Sequence, residues 1–313
     1  MRTKLSLVVV LVGVLSGVWA SAQPDPSRLS DYQPTEADLA YDTRFRRQVL
    51  DVYLPTSDAR TTPDGVPLVF AIHGGGYVTG DKDIMAAIAE VLTADGYAVV
   101  SPNYRLGTFP DPIDDITCAL AWALTEGAQA YAFDLSRVVI TGESAGGNAA
   151  ALLSAHDDLG RFLTDCPHAL PDGFAFAAAV PYYLYGDMTT CTDNCRLLRQ
   201  VTGVYLDTPI GTATADQLRE AWGEASPLVW IDGSEPPTLA IHGRIDDIVP
   251  YSETELYVQV LTEAGAPIEA YYLDDAPHGY IKHPDHPAAQ ESAAEVVRFL
   301  GALWEAQAEA EQP

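Results

Sequence analysis

Residues 138–156 read VVITGESAGGNAAALLSAH, and no other stretch restricts the fold of this chain so closely. A β-branched run passes directly into Gly142-Glu143-Ser144-Ala145-Gly146, and a helical stretch rich in alanine and leucine follows at once. A strand that turns into a helix over so few residues strains the backbone at the turn, and glycines on both sides remove the Cβ atoms that would clash. The turn pushes the Ser144 hydroxyl out at the carboxyl edge of a sheet. It also sets the amide of Ala145 at a helix N-terminus, where unpaired N–H groups and the helix dipole favour negative charge. Ser144 is therefore a candidate nucleophile, with a plain glycine-rich turn as the alternative.

The surrounding pattern supports a sheet. Short β-rich runs, VLDVYL, PLVFAIH, YAVVSPNY, RVVITG, FAAAVPYY, TLAIHG and IEAYYLD, alternate with longer stretches of helical period such as DIMAAIAEVLTADG and DPIDDITCALAWAL. The middle runs are nearly continuous in apolar residues, as strands covered on both faces must be. The expectation is an α/β fold: a mostly parallel central sheet with helices on both faces. Residues 184–236 exceed an ordinary crossover and hold Trp222 and Trp230, which suggests a short ordered cap insertion with its own helix near 215–223. The domain is expected over 49–307, after an N-terminal extension at 23–48 and before a tail at 308–313.

The first 22 residues, MRTKLSLVVVLVGVLSGVWASA, carry early cations, an apolar run and then small residues, the order of a cleaved export signal. The run is shorter than the roughly 20 residues of a spanning helix, so no stable membrane insertion is expected after cleavage. The protein is expected to be secreted or periplasmic. Its four cysteines then read as two disulfides, with Cys118–Cys166 and Cys191–Cys195 favoured. Chain entropy assigns the long bridge about 4 kcal/mol and the short one about 2. A zinc site fits poorly, because no C-x-x-C pair or suitably spaced histidine accompanies these cysteines. A formal charge of −27 with lysine only at Lys4, Lys82 and Lys282 excludes a general nucleic-acid footprint and disfavours anionic polymers as substrates. Adaptation to saline surroundings is one explanation of the acidic surface, compositional drift another.

A serine that attacks an ester needs backbone N–H donors for the oxyanion it creates, and glycines let the chain approach closely enough to supply them. VFAIHGGGYVTGDK ends a buried strand on His73 and three glycines, and Gly75 and Gly76 are the donors expected to join Ala145. This stretch resembles the HGGG oxyanion loop of lipases and esterases of the α/β-hydrolase fold. His73, ahead of the nucleophile, is expected to brace the loop. The same resemblance implies the chain order serine, acid, histidine. TLAIHGRIDDIVPYSET is similar to the H-G-x-x-D-x-x-V-P stretch of secreted esterases and prolyl-oligopeptidase-like hydrolases, which maps the acid to Asp246, with Asp247 beside it as an alternative. The base then falls on His278, in APHGY just past the last strand, with His283 and His286 further on. His242 is expected to be buried and hydrogen-bonded.

From LDVYLP to PHGY the chain resembles secreted carboxylesterases of the acetyl-xylan and feruloyl esterase type, with kynurenine formamidase and the hormone-sensitive-lipase group as cousins. The latter group usually carries an N-terminal helical cap, whereas the extra segment here lies between the fifth and sixth strand candidates. The resemblance implies a serine carboxylesterase with Ser144, Asp246 and His278 as catalytic residues and no cofactor or metal. It would act on short-chain or carbohydrate-linked esters. Amidase, peptidase and formamidase activities use the same machinery, and Tyr77, Tyr104, Tyr182, Tyr183 and Tyr280 could instead stack an aromatic acyl group. A non-catalytic binding module would typically lack a member of the triad that this chain keeps.

Overall fold

The computed structural model describes residues 29–188 and 222–310. The expected export signal, Cys191 and Cys195 lie outside the described residues, as does most of the expected insertion with its helix. The strands are β1 (Glu36–Ala40), β2 (Val49–Tyr53), β3 (Val66–Ile72), β4 (Ala98–Pro102), β5 (Phe133–Glu143), β6 (Ala178–Tyr182), β7 (Thr238–Gly243) and β8 (Ile268–Leu273). The helices are α1 (Ala86–Ala94), α2 (Asp111–Trp122), α3 (Ala128–Tyr131), α4 (Ala145–Ser154), α5 (Ser252–Ala264) and α6 (Pro287–Ala310). Among the described residues the strands form one sheet in the order β1-β2-β4-β3-β5-β6-β7-β8. The pairings β1/β2 and β2/β4 are antiparallel and the remaining ones parallel.

Side-chain alternation along β3 shows why the sheet needs cover on both faces. Leu68, Phe70 and Ile72 pack with Ile116 and Leu120 of α2 and Leu152 of α4, while Val69 and Ala71 pack with Ile88 and Leu92 of α1 and Val296 and Leu300 of α6. All five strand residues are fully buried. At about 1.5–3 kcal/mol per large apolar side chain, these two layers dominate the stability of the fold. A smaller cluster seats Tyr257 and Leu261 of α5 on Ala240 of β7 and Ala151 of α4.

The stretch 23–48, expected as an extension ahead of the domain, contributes β1 to the sheet, and the C-terminal helix runs past 307 to Ala310. Cys118 of α2 is disulfide-bonded to Cys166, 48 residues on in sequence. Two described stretches frame residues 189–221, and hydrogen bonds tie them together at their base. Ser226 Oγ accepts the Met188 N–H at 2.9 Å and donates to the Trp222 carbonyl at 2.7 Å. Among the described residues, no helix is long and apolar enough to cross a membrane.

Candidate active site

At the carboxyl edge of the sheet β5 ends at Glu143, and Ser144 turns the chain with φ +56° and ψ −115° before α4 begins. Only a few per cent of residues other than glycine adopt a positive φ, so the strain found here marks a constrained position. The flanking glycines are required by close approach. A Cβ on Gly142 would strike the Gly146 carbonyl, and one on Gly146 the Ile72 carbonyl. Neighbouring strands hold the turn as well, since the Ser144 N–H donates to the Tyr182 carbonyl at 3.1 Å.

The structure brings Ser144, His278 and Asp246 together in one hydrogen-bonded chain. His278, in the loop after β8, places Nε2 3.0 Å from Ser144 Oγ and Nδ1 2.7 Å from Asp246 Oδ2. An ionised carboxylate only accepts, so Nδ1 carries the proton and Nε2 is left to accept from the serine. Asp246, in the loop after β7, has a side chain only 1% exposed. Its Oδ1 accepts the N–H groups of Ile248 and Val249 at 2.9 and 2.8 Å, which orients the carboxylate. Burial alone would push the Asp246 carboxyl up, but hydrogen bonds from His242 and His278 and the Val249 N–H hold it well below the usual carboxylate range. Asp247 is exposed. His286 turns Nδ1 to the Ala288 N–H at the start of α6.

His242 is fully buried, as expected, but its position next to Asp246 was not legible in the sequence. Its Nε2 donates to the Val249 carbonyl at 3.0 Å and lies 3.4 Å from Asp246 Oδ2, and its Nδ1 accepts from Thr254 Oγ1 at 2.7 Å. Every ring nitrogen is thus occupied, which leaves His278 as the imidazole that faces the serine.

The glycine loop after β3 faces the elbow. Gly75 and Gly76 take φ values of +109° and +62°, and among the described residues neither N–H has an acceptor. Ala145 opens α4, where the first-turn N–H groups lack intrahelical partners. His73 braces the loop: Nδ1 donates to the Gly74 carbonyl at 2.6 Å and the ring stacks on Tyr104 at 4.3 Å. Burial lowers its pKa to about 4, so it stays neutral. The five tyrosines expected at the edge are all buried, at 2% exposure or less. Two of them hold the frame, Tyr77 Oη donating to Asn148 Oδ1 at 2.7 Å and Tyr104 Oη to the His73 carbonyl at 2.8 Å. None offers a free ring face on which an aromatic acid could stack.

A hydroxyl hydrogen-bonded to an oriented imidazole, beside unpaired N–H groups, is an arrangement suited to acyl transfer. A family model described as BD-FAE matches residues 50–261. The chain belongs to the BD-FAE family. The matched span holds Gly75, Gly76, Ser144, Ala145 and Asp246 and ends ahead of His278. Over 314 residues the chain is 28% identical to the probable carboxylic ester hydrolase LipM of Mycobacterium tuberculosis (strain ATCC 25618 / H37Rv), covering 95% of this chain and 69% of LipM. Esterase LipQ of the same organism is 28% identical over 296 residues, with 90% of this chain and 65% of LipQ covered. The chain thus spans about two thirds of the length of these curated relatives. The crystal structure of esterase B from Lactobacillus rhamnosis (HN001) superposes with a TM-score of 0.71 at 24% identity, over 88% of this chain and 87% of that one. Family and fold together make this BD-FAE member an α/β-hydrolase enzyme.

Proposed function

We propose that this chain is a serine carboxylic ester hydrolase that works through an acyl-enzyme. The observation that carries the reading is the chain of contacts from Ser144 Oγ through His278 to Asp246, at 3.0 and 2.7 Å. Ser144 attacks the ester carbonyl as His278 Nε2 takes its proton, and Asp246 stabilises the imidazolium that forms. The N–H groups of Gly75, Gly76 and Ala145 hold the oxyanion, for which removal of a single donor typically costs about 10²–10³ in turnover. His278 then protonates the leaving alkoxide. Water, with His278 again as base, attacks the acyl-enzyme and frees the acid.

The substrate in this reading is an ester of a short aliphatic acid, on a small alcohol or a carbohydrate. Burial of all five edge tyrosines favours aliphatic over aromatic acyl groups. The esterase names of LipM and LipQ agree with the reaction class. Export to a secreted or periplasmic location is part of the same proposal, supported by the pattern of residues 1–22 and by the Cys118–Cys166 bridge. The test is kcat/KM across nitrophenyl esters of two to sixteen carbons, a methyl hydroxycinnamate, a peptide anilide and formylkynurenine. The expected maximum lies between acetyl and butyryl. A maximum at twelve carbons or beyond, or an anilide cleaved faster than the butyrate, would overturn the reading.

A further inference from the structure

Glu143, the residue before the nucleophile, is fully buried yet carries a carboxylate that the steps above do not use. Its Oε1 accepts the Gly74 N–H at 2.9 Å, which fixes the start of the glycine loop. Lys282 Nζ lies 3.6 Å from the same oxygen, reaching back from the turn Tyr280–Lys282 just beyond His278. The approach is close enough that a Cβ on Gly74 would collide with the Glu143 carboxylate. Tyr183, held at φ +33° just past β6, packs its ring 4.8 Å from that of His278. Its hydroxyl faces the same carboxylate, and burial followed by that charge pushes the phenol far above its ordinary pKa. One side chain therefore meets the oxyanion loop, the base loop and the residue against the base, and through its own backbone it is joined to the nucleophile.

A buried ion pair is weak evidence for stability, because apolar side chains of similar volume often serve as well. This one is directional instead. It consumes one of three lysines in a chain of charge −27, and it points its acceptor at the N–H next to the expected oxyanion donors. We infer that Glu143 is a positioning residue for the oxyanion loop and that Lys282 keeps its carboxylate aimed. The inference rests on the esterase reading above. With Gly74 tied to Glu143, the N–H groups of Gly75 and Gly76 hold their direction against Ser144 as the carbonyl becomes tetrahedral. Without the ammonium the carboxylate turns, and the loop loses that direction.

The test compares Lys282→Met, Lys282→Arg, Glu143→Gln and the double variant Glu143→Gln/Lys282→Met in the full chain. Measured are kcat and KM for nitrophenyl butyrate, inhibition by a trifluoromethyl ketone that forms a tetrahedral adduct on serine, and Tm. Lys282→Met should lower kcat about tenfold and Glu143→Gln about 10–100-fold, with KM within about twofold, since a displaced loop loses part of what a deleted oxyanion donor loses. Ketone affinity should fall by the same factor as kcat/KM. Lys282→Arg should restore most of the rate, and the double variant should be no slower than Glu143→Gln. A loss confined to KM, a loss that tracks Tm, an unchanged ketone affinity, or additive effects in the double variant would each overturn the positioning role. Ser144→Ala run alongside separates the two readings: ester turnover that survives it sinks the esterase reading, whereas turnover lost there but intact in Lys282→Met sinks only the role of the pair. If the unaltered chain turns over no ester, the rate at which a fluorophosphonate labels Ser144 gives the same comparison of variants, because its phosphoryl oxygen also needs the loop.

Discussion

Asp246, beside the candidate base, and Asp115, in α2, are carboxylates with side chains equally hidden, each 1% exposed, and they do opposite things. Asp115 accepts the Arg105 N–H, Nε and Nη2 and the Gln48 amide, all between 2.8 and 3.0 Å. Every partner there is an amide or a permanently charged guanidinium, so the cluster is closed: it fixes where the chain runs and has no proton to exchange. Asp246 gives one oxygen to backbone N–H groups in the same way but offers the other to an imidazole. That partner can gain a proton, and its second nitrogen faces Ser144. The difference teaches that burial and partner count make a carboxylate structural or functional only through the chemistry of the partner.

Breaking the reactive region should leave the fold standing. Ser144→Ala is expected to lower kcat about 10⁶-fold, equivalent to about 8 kcal/mol of barrier, with Tm within about 2 °C of the parent. Asp246→Asn should cost about 10⁴-fold, because the amide no longer holds His278 in the tautomer that accepts from serine. Asp247→Asn should change kcat/KM by less than about twofold, as an exposed side chain outside the chain of contacts. If Asp247→Asn is the damaging variant and Asp246→Asn is silent, the acid has been assigned to the wrong residue. The depressed pKa of Asp246 carries a sign for stability as well. Its contribution is present above the unfolded value near 4 and is lost as pH falls through the folded one.

Breaking the closed region should do the reverse. Asp115→Asn leaves Arg105, whose side chain is 20% exposed, without its buried countercharge. The expected cost is about 3 kcal/mol in urea unfolding, at the low end for a broken buried pair because water still reaches the guanidinium. Turnover per folded molecule should stay within about twofold. A turnover loss beyond about tenfold at unchanged stability would mean that the two clusters are coupled and the contrast between them is false.

The same contrast explains what could be read in advance. A strand, Gly-x-Ser-x-Gly and a helix in succession are demands of local geometry, and Asp246 and His278 each fall in the loop after one of the last two strands, so motif and order sufficed to name the three side chains of the candidate site that the structure brings together. β1 left no such trace. EADLA is largely exposed and lacks apolar alternation, and tertiary partners set it: the Asp38 N–H donates to Asp51 Oδ1 at 2.9 Å, and Lys82 Nζ lies 2.9 Å from Asp38. The approach of His242 to Asp246 depends on how the loop after β7 curls, and spacing alone does not encode that. Glu143 looks in sequence like the free x of the serine motif. Only the close pass of Gly74 over it reveals a buried carboxylate. The tyrosines were legible as lying near the sheet edge but not as buried, because the partners that cover them belong to the two separate core layers, Tyr77 and Tyr104 in one and Tyr182, Tyr183 and Tyr280 in the other.

The smallest expected effect lies next to Asp115 and should have the opposite sign. Asp114 is 6% exposed, its Oδ1 has no hydrogen-bond partner among the described residues, and burial pushes its pKa up to about 6 despite a hydrogen bond with Thr164 and the charge of Arg105. A carboxyl raised above its unfolded value near 4 contributes stability that is fully present below pH 4 and lost as pH rises through 6. Above that pH the folded protein holds a charge with too few donors. Asn has the same shape, stays neutral at every pH and keeps an acceptor for Thr164. The rise from near 4 to about 6 sets a ceiling near 3 kcal/mol. Asp114 sits in the first turn of α2, where the helix dipole returns about 0.3–1 kcal/mol to a negative charge, so the net gain should be smaller. Asp114→Asn is therefore expected to stabilise the chain by about 1–2 kcal/mol in urea unfolding at pH 8 and by nothing measurable at pH 4. Adjacent aspartates on one helix would then respond to the same substitution with opposite signs at pH 8. Equal effects of Asp114→Asn at the two pH values, or a loss of stability at pH 8, would show that Asp114 has donors enough and that partner chemistry does not separate it from Asp115.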